Sequence, residues 1–128
     1  MKPMFVTLFL AIVSEVVATS ALKLSEGFTR PGPSVLVVVG YVSAFYLLSQ
    51  SLRAGMPLGV AYAVWSGLGT VGIVAIGVVL FREQLTTARV VGTILVVAGV
   101  VILNLRGTSN RAAPVVAAPA AEASPGSR

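Results

Sequence analysis

The sequence predicts an all-α integral membrane protein built from four transmembrane helices. Hydrophobic residues account for 56% of the 128-residue chain, charged residues account for only 10%, and the mean hydropathy is +0.96. A soluble domain carries about 25% charged residues, and a soluble chain of this length lacks the interior to hide so much apolar surface. A lipid bilayer is the solvent that suits this composition.

Four apolar runs are the candidate membrane spans. They cover residues 4–22, 35–52, 58–81 and 90–105, and each is within a few residues of the ~20 that cross the hydrocarbon core. The connecting segments 23–34, 53–57 and 82–89 are short, so neighbouring helices are expected to run antiparallel. The run Arg30-Pro31-Gly32-Pro33 predicts a firm break in the first connection.

The chain is expected to divide into a four-helix membrane domain, residues 1–106, and an Ala/Pro-rich tail, residues 107–128, predicted to be disordered. A cleaved signal peptide is an alternative interpretation of the first run, because Lys2 precedes it and small residues stand at 18–21. Glu15 inside its apolar region argues against that alternative.

The absence of two residue types excludes several kinds of chemistry. The chain contains no cysteine and no histidine, so disulfides, thiol chemistry and a zinc-type metal site are not expected. We expect neither a cofactor nor an enzyme. The net charge of +5 would favour nucleic-acid binding in a soluble protein. Here the basic residues stand at the ends of apolar runs, where lipid headgroups and membrane topology explain them better.

The basic residues near the predicted helix ends give almost no preference for one orientation in the membrane. One side would carry Lys2, Arg53, Arg106 and Arg111, and the other would carry Lys23, Arg30, Arg82 and Arg89. Orientation follows the excess of Lys and Arg on the cytoplasmic side. Either the bias is simply weak, or copies insert in both orientations and pair antiparallel.

Glu15 is the acidic residue that stands inside a predicted span. It lies 11 residues beyond Met4, which is about 16 Å along a helix and near the bilayer centre. A charge there costs at least ~2.5–3.5 kcal/mol on insertion scales, and no Lys or Arg lies within a predicted span to pair with it. One interpretation is a permanently protonated acid bonded to a neighbouring helix. The other is a carboxylate that takes a proton or a cationic ligand from solution.

Residues at helical spacing from Glu15 leave space beside the acid. They are small or apolar except for one hydroxyl: Ala11, Ile12, Ala18, Thr19 and Leu22. This pattern suits a binding face, and it also suits close helix packing through small residues.

Two aromatic pairs could form the wall of an organic-cation site. Tyr41 and Phe45 share a face of helix two at i, i+4, and Tyr62 and Trp65 share a face of helix three at i, i+3. Such residues also form cores and interfacial belts. If they face Glu15, cation–π attraction would add to the attraction of the carboxylate.

Glycines mark two further features. Gly67 and Gly69 in helix three permit either a bend or close packing. In helix four, Gly92, Val96 and Gly99 form a stripe suited to helix–helix contact, so this helix is expected to dimerise.

Together these features resemble the small multidrug resistance family, over residues 1 to about 106. The resemblance is carried by residues 14–19 (SEVVAT), 25–30 (SEGFTR), 59–69 (GVAYAVWSGLG) and 92–105. It implies an antiparallel, dual-topology homodimer in which helices one to three enclose one shared site and helix four dimerises. It also implies that Glu15 of both copies binds either protons or a cationic drug.

The resemblance carries over to particular positions. The implied substrate-binding residues around Glu15 are Ala11, Ile12, Thr19, Tyr41, Phe45, Leu48, Tyr62 and Trp65, and Gly67 with Gly69 match the family's kink in helix three. Two positions depart from the usual pattern, because Phe5 stands where tyrosine is frequent and Ala18 where glycine is frequent. These departures bear on substrate preference and leave the mechanism unchanged.

The implied function is proton-coupled export of hydrophobic, quaternary-ammonium-like cations across the bacterial cytoplasmic membrane. Val-Val-Ala-Thr after Glu15 resembles the drug-exporting branch, whereas the guanidinium-exporting branch has Gly-Trp after the acid. Guanidinium export, an ion leak pore and a non-transporting partner subunit remain as alternatives.

Overall fold

The computed structural model describes residues 2–107 and contains four α-helices within that part of the chain. They are α1 (Pro3–Leu24), α2 (Pro31–Arg53), α3 (Leu58–Val79) and α4 (Thr87–Gly107). All four are long and apolar enough to cross a membrane, which confirms the predicted fold class. The predicted disordered tail, apart from Gly107 at the end of α4, lies outside the described residues.

The boundaries of the first connection were predicted wrongly. Helix α2 begins at Pro31, so the Arg-Pro-Gly-Pro run starts a helix where a break was expected. Proline suits the first helical turn because its missing N–H has no intrahelical partner there. The connection is a tight turn in which Glu26, Gly27 and Phe28 have positive φ angles. Helix α3 ends at Val79, two residues before the predicted end of the third run.

Helices α1 and α2 pack against each other at very short range. A Cβ added at Gly40 would lie 2.7 Å from the Cβ of Ala18, so only glycine allows this approach. The Ser14 hydroxyl donates a hydrogen bond to the Gly40 carbonyl at 2.9 Å. Near the other end of the pair, the buried Ser51 hydroxyl donates to the Met4 carbonyl at 2.7 Å. These contacts fix the register of α1 against α2.

The buried core lies near the start of α1, where α3 also joins the pair. It is formed by Leu8, Ile12, Met56 and Ala61. Helix α4 packs on α3, where the Val100 side chain fills the space beside Gly67. None of the α4 residues 87–106 is buried. The protomer therefore offers most of α4 to lipid or to a partner.

Candidate functional site

A cavity of about 300 Å³ opens between α1, α2 and α3, with Glu15 in its wall. Its lining is apolar and aromatic except for the acid and a few hydroxyls. The lining residues are Glu15, Tyr41, Phe45, Leu48, Leu58, Ala61, Tyr62, Trp65 and Ser66. A cavity of this kind suits a small apolar ligand that carries a positive charge.

The Glu15 carboxylate is held by a chain of hydroxyl groups. The Thr19 hydroxyl donates to Glu15 Oε1 at 3.1 Å, and it lies 2.8 Å from the Tyr41 hydroxyl. A hydroxyl has one proton, so Tyr41 is left to donate to Thr19. The second carboxylate oxygen lies beside Gly69, where an added Cβ would come within 3.5 Å of it. The acid is thus oriented by α1 and α2 and is approached closely by α3.

None of the ion pairs among residues 2–107 includes Glu15. Its hydrogen-bond partner in the described part of the chain is a neutral hydroxyl. A carboxylate in a membrane is normally paired or faces a water-filled cavity. The geometry leaves a position for a positive charge beside Glu15.

The aromatic wall stands next to the acid. The Phe45 and Trp65 rings are stacked, with centroids 6.1 Å apart and an interplanar angle of 21°. In the single protomer Phe45 is 61% exposed and Tyr62 is 73% exposed. Such large exposed rings at the mouth of an acidic cavity are open to a ligand or to a partner subunit.

The structure brings most of the predicted site residues together around Glu15. Five of them line the cavity, namely Tyr41, Phe45, Leu48, Tyr62 and Trp65, and Thr19 joins the site through its hydrogen bonds. Ala11 and Ile12 do not line this cavity, and both are buried, with exposures of 0% and 3%. Ile12 belongs to the buried core with Leu8, Met56 and Ala61.

Sequence reasoning missed three lining residues of helix α3. They are Leu58, Ala61 and Ser66. Leu58 and Ala61 stand four residues before Tyr62 and Trp65, so helical spacing from these two aromatic residues would have found them. Ser66 follows Trp65 directly, and no sequence signal separates it from an ordinary packing serine.

The two glycines of the predicted kink in α3 have close neighbours, whereas those of the α4 stripe have none within 4 Å of an added Cβ among the described residues. Gly67 packs on Val100 of α4 and Gly69 approaches the carboxylate, while α3 is helical from Leu58 to Val79. The predicted kink at Gly67 and Gly69 stays a prediction. A Cβ at Gly92 or Gly99 would meet no atom within 4 Å in the described residues, so this stripe of α4 is free to receive another helix.

Four apolar helices, three of which surround a cavity with one acidic and several aromatic residues in its wall, define a multi-span membrane protein. The family model described as Small Multidrug Resistance protein matches residues 3–97. The chain therefore belongs to the small multidrug resistance family.

Three relatives show how broadly the similarity extends. The chain is 57% identical over 98 residues to the quaternary ammonium compound-resistance protein QacE of Escherichia coli, covering 77% of this chain and 88% of the relative. It is 48% identical over 101 residues to the multidrug resistance protein EbrA of Bacillus licheniformis, covering 79% and 95%. It is 50% identical over 103 residues to the multidrug resistance protein Mmr of Mycobacterium tuberculosis, covering 80% and 96%.

Proposed function

We propose that this chain exports hydrophobic, quaternary-ammonium-like cations from the bacterial cytoplasm in exchange for protons. The observation that carries the proposal is Glu15, an intramembrane carboxylate in an aromatic cavity that none of the ion pairs among residues 2–107 includes. The names of the relatives, which include resistance to quaternary ammonium compounds and multidrug resistance, support this substrate class.

The cavity offers such a cation two kinds of attraction. Glu15 supplies the negative charge, while the rings of Tyr41, Phe45, Tyr62 and Trp65 supply apolar surface and π faces. A cation–π contact contributes about 0.5–1 kcal/mol at exposed sites and ~2 kcal/mol when desolvated. Neither attraction depends on a fixed hydrogen-bond pattern, so one site can accept cations of different shape.

The open side of the site supports an antiparallel homodimer as the working unit. Phe45 and Tyr62 are exposed in the protomer, and the glycine stripe of α4 is uncovered. The equal numbers of basic residues predicted on the two sides permit both orientations in the membrane. A second copy, inverted, would bring a second Glu15 to the shared cavity and a second set of rings to enclose it.

Exchange follows from a site that binds protons or a cation, but not both. A cation that enters from the cytoplasm displaces protons and neutralises the carboxylates. After the dimer exposes the site to the other side, protons return to the acids and the cation leaves. In an antiparallel dimer, exchanging the conformations of the two subunits gives the state that faces the opposite side.

The test replaces the acid and measures cation binding across a range of pH. Glu15→Gln keeps the shape of the side chain and removes its charge. Tetraphenylphosphonium affinity in detergent should fall about ten- to a hundredfold, the effect of losing one charge-assisted contact of ~1.5–3 kcal/mol. The pH dependence of binding should disappear with it.

The matched control is Glu26→Gln, because Glu26 is an exposed acid in the turn after α1, paired with Arg30 at 3.7 Å. It should bind tetraphenylphosphonium as the unmodified chain does. If Glu15→Gln keeps both the affinity and its pH dependence, the proposed function is wrong. Transport of guanidinium measured beside transport of a quaternary ammonium ion separates the two export activities.

A further inference from the structure

A row of three cavities that share wall residues, the groove, runs along α1 and α3 from Glu15 to one end of the helix bundle. The cavity at Glu15 shares Glu15, Trp65 and Ser66 with a second cavity of about 300 Å³ along α3. The second cavity shares Ile73 with a third, of about 160 Å³, where α1 and α3 end. Lys23 in the wall of the third cavity stands eight residues beyond Glu15, about 12 Å along the helix.

Hydroxyl groups line this groove and offer it acceptor oxygens. Thr70 belongs to the second cavity, and Thr19 and Ser20 belong to the third. Thr70 donates its proton to the Ser66 carbonyl at 2.6 Å, and Ser20 donates its proton to the Val16 carbonyl at 2.7 Å. Because these protons are used within the helices, the free lone pairs of the hydroxyls suit a passing cation.

A cation already occupies the end of the groove. The Lys23 ammonium lies 2.6 Å from Glu83 Oε1 and 4.3 Å from the centroid of the Phe81 ring. This carboxylate-plus-ring arrangement has the same chemistry as Glu15 with Trp65. The third cavity, bounded by these groups, is large enough for a small quaternary ammonium ion.

The backbone of Glu83 is bonded to α3, and its carboxylate lies against Gly77 of that helix. The Glu83 N–H donates to the Gly77 carbonyl at 2.9 Å, and a Cβ added at Gly77 would lie 2.9 Å from Glu83 Oε2. The hydrogen bond from Lys23, and then that from Arg89 at 2.8 Å, hold the pKa of Glu83 below its ordinary value. A carboxyl with a lowered pKa is charged at neutral pH, and Arg89 still bonds to Glu83 when Lys23 leaves.

We propose that Phe81 and Glu83 form a second cation-binding site, for small quaternary ammonium ions, at the end of the groove that begins at Glu15. Lys23 is the built-in competitor that fills this site when no ligand is bound. The interpretation of this second site as part of a transport path for cations rests on the proposed function of Glu15.

Lys23 is suited to leave the site. Its side chain is 52% exposed and stands in the last turn of α1. A long, flexible lysine side chain at a helix end has many alternative positions in water. A ligand that brings its own charge and methyl groups to Phe81 replaces both contacts of the ammonium.

The test measures tetramethylammonium binding to the full chain in lipid nanodiscs, in a Glu15→Gln background that removes the first site. Saturation transfer from aromatic protons to the methyl protons of the probe reports contact with a ring. Adding Lys23→Met should tighten binding about tenfold, the factor for a site that Lys23 leaves free about a tenth of the time. Adding Glu83→Gln or Gly77→Ala to that variant should remove the gain.

Arg89→Met is the matched control, because Arg89 also pairs with Glu83 whereas the ammonium over the Phe81 ring is that of Lys23. It should give a clearly smaller gain than Lys23→Met. The proposal is overturned if Lys23→Met leaves the tetramethylammonium affinity unchanged, or if the gain in affinity survives Glu83→Gln. Equal gains in Lys23→Met and Arg89→Met would also overturn it. A helical circular dichroism spectrum and elution as a single species check that each variant is folded.

The two proposals fail separately. If Glu15→Gln leaves tetraphenylphosphonium binding intact, the proposed function is wrong. The effect of Lys23→Met on tetramethylammonium still decides whether Phe81 and Glu83 bind cations.

Discussion

The Thr19 hydroxyl connects the Glu15 carboxylate to Tyr41 of α2. Its position beside Glu15 could be predicted, because residues at i and i+4 lie on one helix face. Its contact with Tyr41 at 2.8 Å could not. That contact depends on where α2 crosses α1, and the crossing is set by the packing of Gly40 on Ala18.

Thr19→Val tests this link, since valine keeps the shape and loses the hydroxyl. Glu15 then loses the hydrogen bond that orients it, and tetraphenylphosphonium should bind about three- to tenfold more weakly, which matches a net hydrogen-bond contribution of ~0.5–1.5 kcal/mol. Thr7→Val is the control, because the Thr7 hydroxyl bonds to carbonyls of its own helix at Pro3 and Met4. Equal affinities for Thr19→Val and the unmodified chain would show that the hydroxyl plays no part in binding.

At the scale of elements, the α1–α2 pair depends on the absence of a side chain at Gly40. Gly40→Ala would place its Cβ 2.7 Å from the Cβ of Ala18 and 3.3 Å from the Ser14 carbonyl oxygen. Overpacking of this kind costs about 1–3 kcal/mol. We expect a lower thermal unfolding temperature in detergent and weaker cation binding, because Tyr41 moves away from Thr19.

Gly59→Ala is the control for this substitution, because a Cβ there meets no described atom within 4 Å. It should unfold at the temperature of the unmodified chain or slightly above. Similar losses in both variants would mean that glycine content, and not the α1–α2 contact, determines stability.

Glu83, in the connection between α3 and α4, links α1 to α4, and this link should depend on pH. Lys23 of α1 and Arg89 of α4 both bond to it, and they lower its pKa. A carboxyl whose pKa is lower in the folded chain stabilises the fold above its ordinary pKa and loses that effect as the pH falls through the lowered value. The difference in unfolding temperature between the unmodified chain and Glu83→Gln should therefore be present at pH 7 and smaller at about pH 4, below the ordinary pKa of a glutamate.

The same measurement on Glu26→Gln provides the comparison, because Glu26 and Arg30 are 66% and 60% exposed and 3.7 Å apart. Its unfolding temperature should match that of the unmodified chain at both pH values. A pH-independent difference for Glu83→Gln would show that its contribution is packing against Gly77 and not charge.

For the whole molecule, the four-span fold could be predicted from the sequence, but its inner surfaces could not. Apolar composition and span length determine how many helices cross the bilayer. Every face of each helix is apolar, so composition does not show which face packs, and Ser66 could not be told from an ordinary packing serine. The run at Pro31 was predicted to be a break because proline ends a helix in its interior, although it suits the first turn. The ion pair of Lys23 and Glu83 joins residues that are 60 positions apart in the chain, and no local sequence pattern indicates such a contact.

The open side of the cavity, where Phe45 and Tyr62 are exposed, and the uncovered face of α4 lead to one prediction for the proposed dimer. Gly99→Leu adds a side chain where the described protomer has no atom within 4 Å, so the protomer should fold while helix–helix contact through the small-residue stripe is blocked. Chemical cross-linking in nanodiscs should show fewer dimers, and tetraphenylphosphonium binding should fall in proportion. Ala98→Leu is the control, because Ala98 is exposed and lies about 100° around the helix from the half-buried Gly99. A Gly99→Leu chain that no longer dimerises but binds the cation with full affinity would show that one protomer's cavity is sufficient.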